Sequence, residues 1–295
     1  MKQLLAYCLS IILCVSFTGC MENYLDLYPE DKITSASFPE NESDIKLLLN
    51  GVYAQLREKE VYNQGLFGFG ITDGATPNAF NWGTDEVFNK LGAGRLSSSD
   101  GGVVTYRWKR CYEIISRANY LLACMDLSEE AKAKYSGETH FLRGLAYSVL
   151  AETYGGVPII LTNISTEEAR SLKRASLEET WQQALDDYEV AITNLGVDAP
   201  EPGRATKGAA LGMKMRAYLY QGKYKEVLAC VEQIDALKKY GLFHSYEGLF
   251  DPANENNKEV LFDIQYIEGE NSQGSYIDQY CGTGTGSWTR GSRYV

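Results

Sequence analysis

The sequence has little of what metal binding and redox chemistry require. Among its 295 residues there are only 2 histidines, and neither has a histidine or cysteine partner at metal-ligand spacing. The 7 cysteines form no C-x-x-C pair. Cys111 and Cys124 are predicted on one helix about 20 Å apart, at 1.5 Å per residue, which is too far for a disulfide. The sequence therefore predicts no metal site, no cofactor and no redox pair.

Catalytic constellations are also lacking. Adjacent carboxylates such as Glu129-Glu130 and Asp186-Asp187 are predicted at helix starts or on solvated helix faces. Glycoside cleavage needs two carboxylates facing each other across a sugar, which neighbours on one helix cannot supply. His140 is predicted in the middle of a helix, without a ligand-spaced partner or a nucleophile motif nearby, as a packing or surface residue rather than a base. We therefore predict no catalytic residue and a protein that is not an enzyme.

Positive charge is scarce as well. The chain has 28 Lys and Arg against 39 Asp and Glu, a formal net charge of −11. Nucleic-acid binding depends on clustered basic residues, so this balance argues against a nucleic-acid partner. It argues equally against adsorption of the protein body onto anionic lipid.

No apolar run is long enough to span a bilayer, but a shorter one lies at the N-terminus. It covers residues 4–17, fewer than the roughly 20 that a membrane helix needs, and its length is typical of a signal peptide. We predict this signal peptide over residues 1–19. The junction Phe17-Thr18-Gly19-Cys20 is similar to the lipobox of bacterial lipoproteins, which predicts lipidation of Cys20 and a membrane anchor through lipid only. A plain secretory signal with a chance cysteine is the alternative.

Apolar residues recur at helical spacing through most of the remaining chain. Helices are predicted at about 44–56, 106–126, 129–154, 176–195, 204–220 and 224–237, with Asp44 as the first cap. Successive helices form hairpins that need stacked neighbours to bury their faces. The pattern predicts an all-α dominated fold of tetratricopeptide-like α-solenoid pairs, with long irregular loops and little β structure. A generic helical bundle is the alternative. Residues 260–266 alternate in polarity and predict one short strand.

Residues 63–102 show no sustained periodicity. Loops of this length are uncommon in compact domains and are usually functional or disordered. Asp73, Phe80, Asn81 and Trp82 lie within it. Aromatic rings stack on the apolar faces of sugars, while amides and carboxylates bind sugar hydroxyls. We predict these four as ligand-binding residues, with anchoring of the loop to the core by Trp82 as the alternative.

Four segments of the chain carry a resemblance to a known family. They are Cys20 followed by Tyr24-Leu25-Asp26 and Pro29; Glu138–Gly144 leading to Tyr154–Pro158; Gly203–Ala210; and Leu249-Phe250 with Glu259–Phe262. In this order they resemble the SusD/RagB family of outer-membrane nutrient-binding lipoproteins from Bacteroidetes. The resemblance implies four tetratricopeptide-like helix pairs that scaffold a looped surface for an oligosaccharide or polysaccharide ligand. It also implies a partner, a SusC-like TonB-dependent transporter, and a location on the outside of the cell outer membrane.

The resemblance also implies a division of the chain. The signal peptide, 1–19, is followed by a lipidated stalk, 20–37, and a helical domain, 38–267, that includes the ligand loop 63–102. Because family members are usually longer, residues 268–295 are predicted to begin a truncated C-terminal ligand-binding region. Three alternatives remain: a peptide-binding RagB-like lipoprotein, a periplasmic tetratricopeptide-like scaffold that docks proteins, and a surface glycosidase.

Overall fold

The computed structural model describes residues 38–57, 76, 86–97, 99–125 and 128–266. These residues contain eight α-helices and no strand. The helices are α1 (Glu42–Tyr53), α2 (Glu86–Gly92), α3 (Val103–Met125), α4 (Glu129–Tyr154), α5 (Thr166–Ser171), α6 (Leu177–Asn194), α7 (Lys207–Tyr220) and α8 (Tyr224–Ala236). The predicted all-α fold class is confirmed. None of the described helices has the length and apolarity that crossing a membrane requires.

Two compact units divide the chain, Met1–Asp44 and Ile45–Val295. The described part of the first is residues 38–44, which contains the start of α1. The second unit contains the other helices. The predicted signal peptide, the 20–37 stalk with Cys20, and the 268–295 region lie outside the described residues.

The long helices of the second unit pack in chain order. Helix α3 packs on α4, α4 on α6, α6 on α7, and α7 on α8. Only residues 126–128 separate α3 from α4, and 221–223 separate α7 from α8, so each pair forms a helical hairpin. Gly222 allows the second turn with a φ of 70°. Packing of each helix mainly on its neighbours in the sequence is the arrangement expected of an α-solenoid.

Helices α4 and α6 are antiparallel and approach closely. Gly137 faces Leu195, while Gly144, two turns later in α4, faces Tyr188 and Ala184. A Cβ at position 144 would lie 3.0 Å from Cε1 of Tyr188 and 3.1 Å from the backbone oxygen of Ala184. The two glycines therefore let the α6 backbone lie against α4. The largest fully buried side chains, Tyr147, Tyr188 and Phe141, belong to the same two helices.

Most predicted helix ends are confirmed, with one correction. Ser176 and Glu179 form the predicted capping box at the start of α6, and Gly155 ends α4 with a φ of 77°. Asp44, predicted as the first cap, lies instead within the first turn of α1. The Asn41 side chain accepts a hydrogen bond from the Asp44 N–H at 3.1 Å, so Asn41 caps the helix. Asparagine and aspartate cap about equally well, so the pattern alone did not separate them.

Two short helices were not predicted. Helix α2 lies inside 63–102, which was predicted as an irregular loop, and α5 follows residues 160–164. Helix α5 has no buried residue and begins with a capping box of Ser165 and Glu168. One or two turns are too short to show a hydrophobic period, and local capping rather than burial supports α5.

The predicted strand at 260–266 is wrong. These residues form no strand, and the described part of the chain offers no other strand with which they could pair. Their apolar side chains pack on helices instead. The Phe262 ring lies 5.0 Å from the Phe141 ring, edge to face, and Leu261 lies against Gly212 of α7. The alternation in polarity therefore reflects packing of an extended segment on the solenoid.

Candidate functional site

The predicted ligand residues Asp73, Phe80, Asn81 and Trp82 lie outside the described residues. The C-terminal end of the loop that contains them is described, and an ion pair and a hydrogen bond hold it in place. Lys90 of α2 contacts Asp100 at 2.8 Å, and the Ser97 N–H donates to the same carboxylate at 2.7 Å. The hydrogen bonds from Lys90 and Ser97 lower the pKa of Asp100 to about 2. The loop therefore returns to α3 through a fixed turn.

A groove of about 550 Å³ opens between α3, α4, α6 and residues 160–164, which are called the wall segment. Its volume lies within the range of roughly 300–1,000 Å³ that is usual for small-molecule sites. The polar lining includes Ser136 and His140 of α4, Asn163 of the wall segment and Asn194 of α6. Apolar side chains complete it, among them Leu122, Leu161 and Val190. The groove therefore combines polar and apolar side chains.

A buried charge network lies beside this groove and includes two of its lining residues, His140 and Asn119. Asp187 of α6 is 1% exposed and accepts hydrogen bonds from Nδ1 of His140 and Nη2 of Arg143, both at 2.7 Å. Nε of Arg143 adds a bond at 3.0 Å, and Gln183 adds one at 3.2 Å. Burial by itself raises the pKa of Asp187, but the hydrogen bonds from His140 and Arg143 outweigh it and hold that pKa below its usual value. The carboxylate is therefore ionised at neutral pH.

The same network holds the wall of the groove. Nη1 of Arg143 donates to Oδ1 of Asn119 at 2.8 Å. The Asn119 amide donates in turn to the carbonyls of Ile160 at 3.0 Å and Thr162 at 3.3 Å. The Tyr147 hydroxyl donates a hydrogen bond to the Ile160 carbonyl and accepts one from the Ile160 N–H. Helices α3, α4 and α6 and the wall segment thus form one connected polar unit.

One sequence-based interpretation needs correction here, and a second gains a structural explanation. Asp186-Asp187 was predicted on a solvated face, yet only Asp186 is exposed, where it accepts a bond from Gln182. Consecutive residues differ by about 100° around a helix, so one faces water and the other faces α4. His140, predicted as a packing or surface residue, is partly buried and contacts Asp187, which lies 47 residues away in the chain.

A sequence signal for Asp187 did exist. Thr180, Ala184, Asp187 and Ala191 recur at spacings of four, three and four residues, and all four are buried. A charged residue in such a stripe requires a buried partner of opposite charge.

A second buried network joins α1 to α4. The Tyr53 hydroxyl donates to Oε2 of Glu138 at 2.5 Å and accepts the Ala205 N–H at 2.9 Å. Arg204 lies 4.9 Å from the centre of the Tyr53 ring and 3.5 Å from Glu138. Burial and the neighbouring Glu138 raise the pKa of Tyr53, so its hydroxyl remains a donor. The segment Gly203–Ala210, which carries part of the resemblance, therefore binds the solenoid together.

The glycine pair after α4 has a similar structural role. A Cβ at Gly156 would lie 2.0 Å from the backbone oxygen of Ala175. The next residue, Val157, donates its N–H to Thr180 at 3.1 Å and accepts from the Ala175 N–H at 3.1 Å. Only a glycine at position 156 permits this backbone contact before α6.

Metal and thiol chemistry have no support among the described side chains. That part of the chain holds no group of three or more His, Cys, Asp or Glu arranged to bind a metal ion. Cys111, Cys124 and Cys230 are free thiols. Burial raises the pKa of Cys111 to about 12, so this thiol is protonated and unreactive.

Comparison with known proteins gives consistent matches. A family model for SusD-like proteins, described as starch-binding and associating with the outer membrane, matches residues 23–219. A SusD-like protein of Formosa agariphila is 26% identical over 294 residues, which is 93% of this chain and 54% of the relative. A SusD-like protein of Bacteroides ovatus is 24% identical over 85% of this chain and 48% of its own length. The chain thus spans about half the length of the curated relatives it matches.

Solved structures share the fold. A SusD-like carbohydrate-binding protein of Bacteroides fragilis superposes with a TM-score of 0.72 and 27% identity, over 81% of this chain and 49% of that one. A laminarin-binding SusD-like protein superposes with a TM-score of 0.70 and 22% identity, over 81% and 56% of the two chains. The predicted resemblance and the tetratricopeptide-like fold are confirmed. With a family match over two thirds of its length, this chain belongs to the SusD-like family.

Proposed function

We propose that this chain is part of a surface lipoprotein that binds glycans and delivers them to a SusC-like TonB-dependent transporter in the outer membrane. The observation that carries the proposal is membership of a family described as starch-binding and associating with the outer membrane. A relative in that family, 27% identical, is named for carbohydrate binding. The role proposed is binding, with no catalytic step.

Glycan capture is assigned to Asp73, Phe80, Asn81 and Trp82. Phe80 and Trp82 supply rings for the apolar faces of sugars, while Asn81 and Asp73 supply groups for the hydroxyls.

Binding calorimetry with laminarin and starch oligosaccharides tests the loop. Trp82→Ala should weaken binding by about 1–3 kcal/mol, the loss expected for a central aromatic anchor. Tyr246→Ala is the matched control because Tyr246 is an aromatic residue, 82% exposed, outside the loop. A lower melting temperature of Trp82→Ala with unchanged binding would show that Trp82 only anchors the loop. Binding of peptides but of neither glycan would replace this proposal with peptide capture.

The anchor is proposed at Cys20, with residues 1–19 removed as a signal peptide. Metabolic labelling with a palmitate analogue in the native host should mark the wild type and leave Cys20→Ala unlabelled. Cys124→Ala should be labelled like the wild type, because Cys124 is a partly buried residue of α3. Equal labelling of all three proteins would refute the lipid on Cys20.

The transporter partner needs its own test. The tagged, lipidated chain should co-purify from outer membranes with a TonB-dependent transporter, and protease added to intact cells should digest it. Protection from that protease, with capture of periplasmic proteins only, would favour the protein-docking scaffold instead.

A further inference from the structure

We infer that the groove between α3, α4 and α6 binds one neutral, hydroxyl-rich unit, such as a single sugar residue. This goes beyond the proposed function, because the residues that line the groove all lie between positions 119 and 194, outside the predicted ligand loop. The inference stands on unused hydrogen-bonding groups that converge on the groove and on its charge balance.

His140 contributes a fixed hydrogen-bonding group. An ionised carboxylate only accepts hydrogen bonds, so the 2.7 Å contact with Asp187 places the proton on Nδ1 of His140. The other ring nitrogen, Nε2, has no hydrogen-bond partner among the described residues, and a ligand hydroxyl can pair with it as a donor or as an acceptor. The His140 side chain is 18% exposed and lines the groove. The buried carboxylate thus orients the imidazole for a ligand hydroxyl.

Ser136 lies one turn before His140 in α4 and also lines the groove. It is 7% exposed, and no described residue hydrogen-bonds its hydroxyl. A serine hydroxyl can both donate and accept a hydrogen bond, so Ser136 offers the groove a group that matches a ligand hydroxyl.

Two amides complete the set of polar groups. The Asn163 side chain has no hydrogen-bond partner among the described residues, and it offers both a donor and an acceptor. The Asn194 amide nitrogen donates to the Val190 carbonyl at 2.8 Å, which leaves its oxygen open. Sugar hydroxyls donate and accept at once, so they match a wall that mixes donors with acceptors.

The charges in the groove favour a neutral ligand. Asp187 is neutralised by Arg143, and the lining holds one further residue of each sign, Glu129 and Lys132. An anionic ligand would need an excess of cations, which this lining does not have. Leu161, which is 45% exposed, offers apolar surface for the C–H groups of a sugar.

The histidine ring signals test this inference, because the chain has only 2 histidines. Titration with glucose, followed by imidazole NMR, should shift the His140 signal to saturation and leave the exposed His244 unchanged. His140→Gln identifies the signal. Sodium sulfate is the charged probe and should not reproduce the shift. No shift with glucose, or a shift with sulfate alone, overturns the inference.

Variants separate the groove from the loop. Asn163→Ala should weaken glucose binding about fivefold, the effect of one neutral hydrogen bond, and Ser136→Ala should do the same. Thr193→Ala is the matched control, since Thr193 is exposed on α6 beside Asn194 and does not line the groove. Asn163 is exposed, so its variant keeps the test valid even if Ser136→Ala unfolds. An Asn163→Ala titration identical to the wild type refutes the site.

A failure of the proposed function can be distinguished from a failure of this site. Trp82→Ala should leave the glucose shift at His140 unchanged while it weakens binding of long glycans. If both responses vanish in Trp82→Ala, with the fold intact, the sugar binds at the loop and the groove inference is wrong.

Discussion

Two buried carboxylates, Asp187 and Glu138, lie against helix α4 and behave differently. Both are almost completely buried, and both contact an arginine. The pKa of Asp187 is held below its usual value, whereas the pKa of Glu138 is raised. Burial raises the pKa in both cases, so the difference must come from the hydrogen-bond partners.

The donors explain the difference. Asp187 accepts hydrogen bonds from two nitrogens of Arg143, from Nδ1 of His140 and from the Gln183 amide, all within 3.2 Å. Glu138 accepts a hydrogen bond from the Tyr53 hydroxyl at 2.5 Å and a longer one from a single nitrogen of Arg204 at 3.5 Å. Short charge-assisted bonds stabilise an ionised carboxylate more than a neutral hydroxyl does. The number and charge of close donors therefore decide whether a buried acid remains charged.

The largest expected effect tests the Asp187 network. Asp187→Asn should lower the free energy of unfolding at neutral pH by about 3–5 kcal/mol, because it leaves the Arg143 charge buried without compensation. Urea denaturation measures the loss. Asp186→Asn is the adjacent control and should change stability by less than about 0.5 kcal/mol, because Asp186 is exposed. Equal, small effects would mean that the network adds little to the fold.

The same pair of proteins yields a pH test. Since the folded pKa of Asp187 lies below its unfolded value, its contribution is complete above the unfolded pKa and is lost as the pH falls through the folded one. The stability difference between the wild type and Asp187→Asn should therefore narrow as the pH falls below about 4, the ordinary carboxyl range. Thermal melts across acidic pH check this, and a constant difference would contradict it.

A smaller effect tests the close approach of α4 and α6. Gly144→Ala should cost about 1–2 kcal/mol, because overpacking against Tyr188 and the Ala184 backbone outweighs the gain in helix propensity. Gly212→Ala is the matched control, since its new Cβ would meet only the flexible end of Leu261 at 3.1 Å. Melting temperatures compare the two, and an unchanged Gly144→Ala would show that the interface has room.

The smallest effect is expected at Glu138. Glu138→Gln should cost less than about 1 kcal/mol at neutral pH, because the amide oxygen still accepts from Tyr53. The raised pKa gives a definite sign: the stability contributed by Glu138 is complete below its unfolded pKa and falls as the pH rises through the folded one. In urea denaturation the variant should therefore become more stable relative to the wild type as the pH rises above about 4, the ordinary carboxyl range. A loss as large as that of Asp187→Asn would remove the distinction between the two carboxylates.

The fold was predictable where a pattern repeats. The stripe that includes Cys111 and Ile115, and the glycines that end α4, correctly predicted the long helices and their order. Helices of one or two turns, such as α5, were missed because local capping leaves no periodic signal. The strand at 260–266 was wrongly predicted because alternation does not reveal whether a neighbouring strand exists.

The candidate sites divide in the same way. Residues of the loop, such as Trp82, were chosen for their chemistry and remain predictions. The sequence predicts His140 only as a packing or surface residue, because no ligand-spaced partner lies near it in the chain. Its partner, Asp187, lies on another helix, in a stripe that otherwise holds small residues. The pairing became visible only when α4 and α6 were placed side by side.

By itself the sequence determined the long helices, their order and the family, because these depend on local periodicity and on short segments with recognisable residues. The tertiary structure alone decided which acids are charged and where a groove opens. Those properties depend on distances between residues far apart in the chain, such as the 2.7 Å contact of His140 with Asp187. Solvent exclusion and close donors act over a few ångströms in space, which no spacing along the chain encodes.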